Sequence, residues 1–252
     1  MRSIVYYAGP LTRRREADMT GNVITLHGRR ATRRRLPDEV ASYVRELIIS
    51  GEVRAGEFLR IEPIAEAVGV SNTPVREGML ALQSEGFVQL VPRRGFVVAP
   101  FTQQDIRDLF WTQAHLAAEL AARAAEKITE ERLTRLETLL AKHEEAIAAG
   151  DEEHIADLGH AFHREINLAA DSHRLTLLLN AAVQHVPNRF YATIEGQVVA
   201  SRHEHPLLLE ALRVGDANEA GALMRQHISA GADHLVDALE ERGLWSRLGS
   251  AS

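Results

Sequence analysis

The sequence predicts a mainly α-helical protein in two parts, an N-terminal winged helix-turn-helix and a C-terminal antiparallel all-α bundle. Residues 36–99 show the pattern of helix, helix, turn, helix and a small β-hairpin wing, in that order. From 104 to 242 the apolar residues recur at helical spacing and never alternate as they do in a strand. We therefore expect one domain at 36–99 and a second at 104–242, joined by a linker at 100–103.

The composition limits the class of protein. The chain has 252 residues, of which 45% are hydrophobic and 25% charged, as in a globular protein with room for two domains. It has no cysteine, which excludes disulfides and thiolate chemistry and favours the cytoplasm. No stretch approaches the roughly 18 apolar residues of a membrane span, and residues 4–8 are too short for the apolar core of a signal peptide. We expect a cytoplasmic protein with no membrane partner.

The charge is distributed unevenly along the chain. Residues 1–35 carry nine arginines against two acidic residues, a net charge of +7. Residues 36–99 carry six arginines against nine acidic residues, a net charge of −3, and residues 100–252 carry 14 basic against 24 acidic residues, a net charge of −10. Eleven of the twelve histidines lie in this last part. The uneven charge indicates different tasks for the two ends of the chain.

The first 35 residues have two interpretations. They lack any helical or strand period and end in an arginine-rich run at 29–35. One interpretation is a disordered, solvated basic tail. The other is a basic arm that adds phosphate contacts or reaches the minor groove of DNA. At the other end, residues 243–252 form a tail too short to interpret.

Three short helices are expected in the N-terminal domain. Apolar residues at helical spacing over 40–48 predict the first helix, which Gly51 ends. Residues 62–69 predict a second helix, and a third begins at Ser71 or Thr73, since either hydroxyl can cap it. These are the elements of a helix-turn-helix, in which the third helix is the recognition helix.

A hairpin follows the recognition helix. Residues 87–91 and 96–99 have strand composition, and 92–95 read as the turn between them. Thr102 and Asp105 then resemble a capping box that opens the helical domain. Six helices are expected after it, at roughly 103–127, 130–149, 152–170, 173–186, 196–214 and 217–242.

The start of the recognition helix carries residue types that suit DNA. Such a helix enters the major groove with its N-terminal residues at the base edges. Ser71 and Thr73 are small enough to approach phosphates, and Asn72 can pair bidentately with an adenine edge. Arg76, one turn further on, can reach a base or a phosphate. We predict that these four residues bind DNA.

The wing adds basic residues at its tip. Arg93 and Arg94, followed by Gly95, lie where a wing touches the DNA backbone or the minor groove. A simpler alternative assigns the recognition-helix hydroxyls to capping alone and pairs the recognition-helix arginine with Glu77 or Glu85. The joint placement of all these residues, with a wing two elements later, favours DNA binding.

Five segments of the N-terminal domain resemble the GntR family of bacterial regulators. The resemblance implies a winged helix that binds operator DNA. It rests on Gly69–Glu77, Leu82–Val88, Pro92–Phe96, Leu47–Gly51 and Ala55–Leu59.

Two positions depart from that family's pattern. Asn72 stands where the family usually has arginine, and Glu62 lies near a position that is often basic and contacts DNA. We therefore expect this domain to dock on DNA as the family's domains do. We expect its base preference, however, to be specific to this chain.

The helical part resembles the effector domain of the FadR subfamily, the FCD type. The resemblance rests on Phe162-His163, Glu204-His205 and residues 215–227. It implies a pocket for a small effector, commonly a carboxylate, often held through a metal ion that an aspartate and three histidines bind. Carried over by position, the three histidines are His163, His205 and His227.

The fourth ligand of that pattern is missing. The usual aspartate lies one turn before the Phe-His pair, where this chain has Gly159. His160, three residues before His163, lies on the same helix face. A site of four histidines and a domain that has lost its metal both stay open. A divalent transition metal such as zinc, nickel or manganese suits imidazole ligands.

The effector residues also depart from the family. The first helix of such domains often carries an arginine and then a glutamate, and the corresponding residues here are Gln113 and Ala117. Gln113 can donate hydrogen bonds but supplies no charge. Arg123 and Arg189 are alternative partners for an anion. The effector is expected to be an organic acid, although a glutamine-lined pocket also suits a neutral or weakly acidic molecule.

We expect a regulator that is not an enzyme. It would bind double-stranded operator DNA as a homodimer, since one winged helix reads only a half-site, and a small molecule would modulate its DNA affinity. One alternative is a metal-dependent enzyme that uses the histidines, with Glu204 beside His205 as general base. Another is an architectural protein that binds DNA without sequence preference through its basic arm.

Overall fold

The structure confirms a mainly α-helical protein with a small sheet near its N-terminus. It is a computed structural model, and it describes residues 35–187, 190–191, 199–241 and 245. Within these ranges, no helix is both long enough and apolar enough to cross a membrane.

The N-terminal part contains three helices and three short strands. Its helices enclose an apolar core that includes Val40, Val44, Met79 and Leu82, all fully buried. In chain order the elements are α1 Leu36–Ile49, β1 Phe58–Leu59, α2 Ile61–Val68, α3 Asn72–Ser84, β2 Val88–Val91 and β3 Gly95–Val98.

The hairpin predicted from sequence is part of a three-stranded antiparallel sheet. Its strand order is β1-β3-β2, and Val97 of β3 lies opposite Phe58 of β1 and Gln89 of β2. The sequence reading missed β1, because two residues are too few to show an alternating pattern. The added strand covers one edge of the wing hairpin.

Helix α3 approaches α1 closely at Gly78. A Cβ atom at this position would lie 2.7 Å from the carbonyl oxygen of Pro37 and 2.9 Å from a methyl group of Val40. Further along the two helices, Arg45 of α1 forms an ion pair at 2.6 Å with Glu85, the residue that caps the C-terminus of α3. The orientation of α3 is therefore set by a close backbone contact and a charged pair.

The C-terminal part is a bundle of helices. Thr102 and Asp105 form the predicted capping box at its start, since the threonine hydroxyl accepts from the Asp105 amide while the Asp105 carboxylate accepts from the Thr102 amide. Among the described elements, the first and last helices of the bundle share the most extensive contact. The bundle comprises α4 Gln103–Lys127, α5 Glu130–Ala149, α6 Glu152–Ala169, α7 His173–Val183, α8 Val199–Val214 and α9 Ala217–Glu241.

Helix α7 ends three residues earlier than the sequence predicts, at Val183. Pro187 follows shortly, and a proline disfavours helical geometry at the preceding residue and offers no backbone N–H. The segment beyond α7 instead turns towards the N-terminal domain.

The two parts of the molecule share an apolar contact around Phe87. Its ring lies 5.4 Å from the ring of Phe101 and 6.2 Å from that of His185, measured between centroids. Val186 and Phe190 belong to the same buried cluster as the core of the winged helix. The segment after α7 is thus packed against the base of the wing.

Candidate nucleic-acid interface and histidine pocket

The N-terminal end of α3 presents a row of free polar side chains. Ser71, Asn72, Thr73 and Arg76 are all exposed, whereas Val75 between them is fully buried. Ser71 is the N-cap residue, but its hydroxyl makes no capping hydrogen bond. The first backbone N–H groups of the helix and these side chains therefore face outward together, an arrangement suited to phosphate and base edges.

The structure does not support the pairing of Arg76 with a nearby glutamate. Glu85 is bonded instead to both Nε and Nη2 of Arg45, at 3.2 and 2.6 Å. Among the described residues, no ion pair involves Arg76. Its guanidinium is available to a partner outside the chain.

The wing tip projects two arginines. Arg93 adopts a left-handed backbone with φ of 65°, and Gly95 follows with φ of 100°, which forms the tight turn between β2 and β3. The guanidinium carbon of Arg94 lies 4.4 Å from the centroid of the Phe58 ring in β1. This cation–π contact orients Arg94 while leaving it exposed. The strand that the sequence reading missed therefore positions one of the predicted DNA-binding residues.

Three of the four predicted metal-binding histidines meet in the helical domain. His163 lies on α6, His205 on α8 and His227 on α9. The Nε2 atom of His227 is 3.1 Å from Nε2 of His163 and 3.3 Å from Nε2 of His205. One ligand atom from each residue lies within 4.8 Å of the others. We call these three residues the histidine triad.

The triad fits a divalent metal ion on the chemistry of its donors. Burial, and then the neighbouring imidazoles, lowers the pKa of His163 and of His205 well below the ordinary value. Both rings are therefore neutral near pH 7, the state in which imidazole binds metals. Glu204 Oε2 lies 2.7 Å from Nδ1 of His227, so this ring donates from Nδ1 and presents the lone pair of Nε2 to the triad.

No carboxylate of a described residue completes this cluster. Among the described residues, the triad is the one group of three or more candidate ligands that converge, and Gly159 supplies no side-chain donor to it. Glu204 contacts the outer nitrogen of His227 and not the inner one. It is thus placed to orient a ligand, whereas a metal-dependent hydrolase would need it as a base facing the open metal position.

His160 lies beside the triad but not within its converging group. Its ring packs edge-on against Tyr191, with centroids 5.3 Å apart. Burial lowers the pKa of His160 to about 4, so this ring is neutral. Its buried Nε2 has no hydrogen-bond partner in the structure described.

A pocket opens directly beside the triad. It has an empty volume of about 720 Å³, counting the part open to solvent. Two triad members, His163 and His227, belong to its wall, so an ion held by the triad would be reached from this side. The other lining residues are Phe110, Gln113, Ala117, His160, Asn167, Leu179, Asn180, Val183, Tyr191, Ile228 and Gly231.

The three predicted effector residues differ in their position relative to the pocket. Gln113 lines the pocket, but its Nε2 donates to the carbonyl of Ala182 and its Oε1 accepts from the Tyr191 hydroxyl at 2.9 Å. Arg123 lies outside the lining, and it is exposed and bonded to Glu119 and Ser172. Arg189 lies outside the described residues.

The sequence reading missed two asparagines of the pocket. The Oδ1 atoms of Asn167 and Asn180 are buried and without a hydrogen-bond partner among the described residues. Asn167 lies four residues after His163, on the same face of α6, and this spacing is the signal that would have found it. No comparable signal marks Asn180.

Comparison with known proteins matches both parts of the chain to families. Residues 36–98 match the bacterial regulatory proteins of the gntR family, and residues 108–230 match the FCD domain. The chain is 26% identical to the HTH-type transcriptional regulator YdhC of Bacillus subtilis over 202 residues, which cover 79% of this chain and 90% of YdhC. It is also 26% identical over 222 residues to LutR of the same organism, another HTH-type transcriptional regulator, covering 77% of this chain and 99% of LutR.

Solved structures show the same fold. McbR/YncC of Escherichia coli superposes with a TM-score of 0.58 at 22% identity, covering 83% of this chain and 99% of that one. A putative GntR transcriptional regulator from Rhodococcus sp. RHA1 gives a TM-score of 0.55 at 22% identity, with 80% and 98% covered. The matched relatives are regulators and not enzymes, as expected from the sequence. The chain therefore joins a winged helix-turn-helix domain that matches the gntR family of bacterial regulatory proteins to an FCD domain.

Proposed function

We propose that this protein is a transcription regulator of the FadR subfamily that binds operator DNA as a homodimer and responds to a small metabolite. The proposal rests mainly on the exposed polar side chains at the start of α3. The domain that carries them shares a buried apolar cluster with the FCD domain, which contains the pocket. Such a regulator works where the bacterial chromosome is, in the cytoplasm.

DNA binding rests on the chemistry of the recognition helix and the wing. Ser71 and Thr73 approach phosphates at the positive end of the α3 dipole, and Asn72 and Arg76 reach base edges in the major groove. At the wing tip, Arg93 and Arg94 contact the backbone or the minor groove. The acidic FCD domain is repelled by phosphate and stays away from the duplex.

We infer a homodimer because one winged helix contacts too little DNA to cover a whole operator. One recognition helix covers only a half-site, and two-fold related helices read the two halves of an operator about 34–36 Å apart. A small shift between the two helices then changes the fit to both half-sites at once. Dimer geometry is thus the quantity that an effector would control.

The triad supports a metal-dependent effector site. We infer that His163, His205 and His227 hold a divalent ion such as zinc, nickel or manganese, with Glu204 fixing the ring of His227. When bound, this ion supplies a positive centre that coordinates a carboxylate of an organic-acid effector. Around it, the neutral rings of His160 and His163 and the buried asparagines shape the pocket.

The route from pocket to DNA passes through the end of α7. Leu179, Asn180 and Val183 line the pocket, and His185, two residues beyond, stacks on Phe87 at the base of the wing. Phe87 also lies 5.6 Å from the guanidinium of Arg45, whose partner Glu85 ends α3. A shift of α7 on effector binding therefore reaches the recognition helix through packed groups.

The test of this function is selection of DNA from a random duplex pool by the full chain, followed by affinity measurements at fixed salt. A specific regulator enriches a two-fold symmetric sequence and keeps its preference when residues 1–35 are deleted. Binding without sequence preference, lost on that deletion, would instead support the architectural alternative.

A further inference from the structure

We propose that the pocket is built for an amphipathic effector. Such a ligand has an apolar body, at most one anionic group, and an O–H or N–H group that donates a hydrogen bond to Asn167 or Asn180. This inference rests on the proposed function of the pocket as an effector site, and it deepens that function by naming the chemical class of the ligand. It departs from a site made for polycarboxylates or sugar acids.

The wall of the pocket is largely apolar. Phe110, Leu179, Val183 and Ile228 present hydrocarbon surface to it, and Ala117 and Gly231 add no polar side chain. A ligand that fills such a wall gains by removing its own apolar surface from water. The body of the effector is therefore apolar.

The lining carries no positive side chain among the described residues. The arginine considered from the sequence, Arg123, is exposed elsewhere and paired with Glu119. Gln113 is uncharged, and both ends of its amide are engaged by Ala182 and Tyr191. A metal ion at the triad accounts for one anionic group of a ligand, and a second anionic group would be buried with no positive partner among the described residues.

Two buried oxygen atoms of the pocket residues accept no hydrogen bond from any described residue. Asn167 has an exposed fraction of 6%, and its Oδ1 is buried without a partner among the described residues. Asn180 belongs to the same wall, and its Oδ1 is also buried with no partner within the described part of the chain. Leaving such atoms unsatisfied is costly, so a ligand gains one hydrogen bond for each O–H or N–H hydrogen that it donates to either oxygen. Carboxylates and ethers, which only accept, do not supply that donor.

Three matched probes separate these features. They are 2-hydroxy-4-methylpentanoate, its deoxy analogue 4-methylpentanoate, and malate, in which a carboxylate replaces the isopropyl group of the first probe. Each is titrated calorimetrically into Zn²⁺-saturated full-length protein at pH 7, and the zinc content is measured before and after.

We expect 2-hydroxy-4-methylpentanoate to bind at least about ten-fold more tightly than its deoxy analogue, the difference that one lost hydrogen bond to a buried acceptor produces. We expect malate, which keeps the hydroxyl, to bind at least about ten-fold more weakly because its second carboxylate is buried without a positive partner. In Asn167→Leu the preference for the hydroxylated probe over its deoxy analogue falls towards one. Asn180→Leu tests the same acceptor role at a less enclosed position and covers the case in which Asn167→Leu does not fold. Asn218→Leu, at an exposed site in the first turn of α9, keeps the wild-type preference.

Binding of malate as tight as that of 2-hydroxy-4-methylpentanoate would overturn the proposal, as would equal binding of the hydroxylated and deoxy probes. Absence of binding by all three probes to zinc-loaded protein would overturn it as well. The proposed function is tested separately: it is contradicted if the same preparation does not bind DNA with sequence preference.

Discussion

The Glu204 carboxylate lies 2.7 Å from Nδ1 of His227, on the side of the ring opposite the triad. The same ring places Nε2 at 3.1 Å from His163 and 3.3 Å from His205. A hydrogen bond from Nδ1 to a carboxylate fixes the tautomer and increases the basicity of the inner nitrogen. Glu204 therefore acts on the triad through His227, without contacting the space between the three rings.

Replacing Glu204 with glutamine should weaken metal binding. The amide keeps the shape but removes the charge that holds the His227 tautomer, and loss of such a partner costs about 10–100-fold in metal affinity. Competition with a zinc chelator, followed by elemental analysis, measures this affinity. Glu210→Gln, at an exposed glutamate paired with Arg213, is the matched control and should bind zinc as the wild type does. Equal zinc affinity in the Glu204 variant would show that the contact has no role at the triad.

Burial of His160 predicts an acid-sensitive fold. Its pKa is lowered from 6.5 to about 4. As the pH falls through this interval, the unfolded chain therefore binds a proton at this histidine that the folded protein does not bind. Stability is thus full above pH 6.5 and declines towards pH 4, by on the order of 3 kcal/mol for this group.

Denaturant unfolding of wild type and His160→Leu between pH 4 and 7 measures the effect. The variant should lose less stability on acidification than the wild type, whereas His173→Leu, at an exposed position, should follow the wild-type slope. Identical slopes for wild type and His160→Leu would contradict a buried neutral ring.

Gly78→Ala should destabilise the winged helix although alanine favours helices. The new Cβ would lie 2.7 Å from the backbone oxygen of Pro37, an atom that cannot move without shifting α1. Overpacking of this kind costs about 1–3 kcal/mol, against a helix-propensity gain of about 1 kcal/mol.

The control for this variant is Gly221→Ala in α9, where the nearest atom is the Ala118 oxygen at 3.3 Å. We expect this variant to be close to wild type in thermal unfolding, while Gly78→Ala unfolds at a lower temperature and binds DNA more weakly. A Gly78 variant as stable as the wild type would mean that α1 and α3 are not held at this distance.

Local patterns in the sequence account for most of the helices but not for how they meet. The bounds of α4 and α5 agree with the sequence prediction, because the capping box at Thr102 and the left-handed Gly150 after α5 mark their ends locally. The close contact at Gly78 and the strand β1 depend on segments distant in sequence, so no local pattern reveals them.

The same distinction holds for the pocket. The three histidines of the triad were identified by the resemblance to a known domain, which carries spatial information that spacing alone lacks. Arg123 was considered for its charge, yet helix α4 turns it to solvent beside Glu119. Asn180 lies on a different helix from the triad, and only the packing of α7 against α4 brings it to the pocket.

Sequence-specific binding through α3 is tested most directly by the DNA affinity of the double variant Asn72→Ala with Arg76→Ala. This affinity is measured by fluorescence anisotropy at fixed salt, on the selected operator and on single-base variants of it. We predict a loss of about 1–3 kcal/mol for each base contact removed, together with a relaxed preference at the contacted positions. Unchanged affinity and unchanged base preference in the double variant would contradict the assignment of α3 as the reading helix.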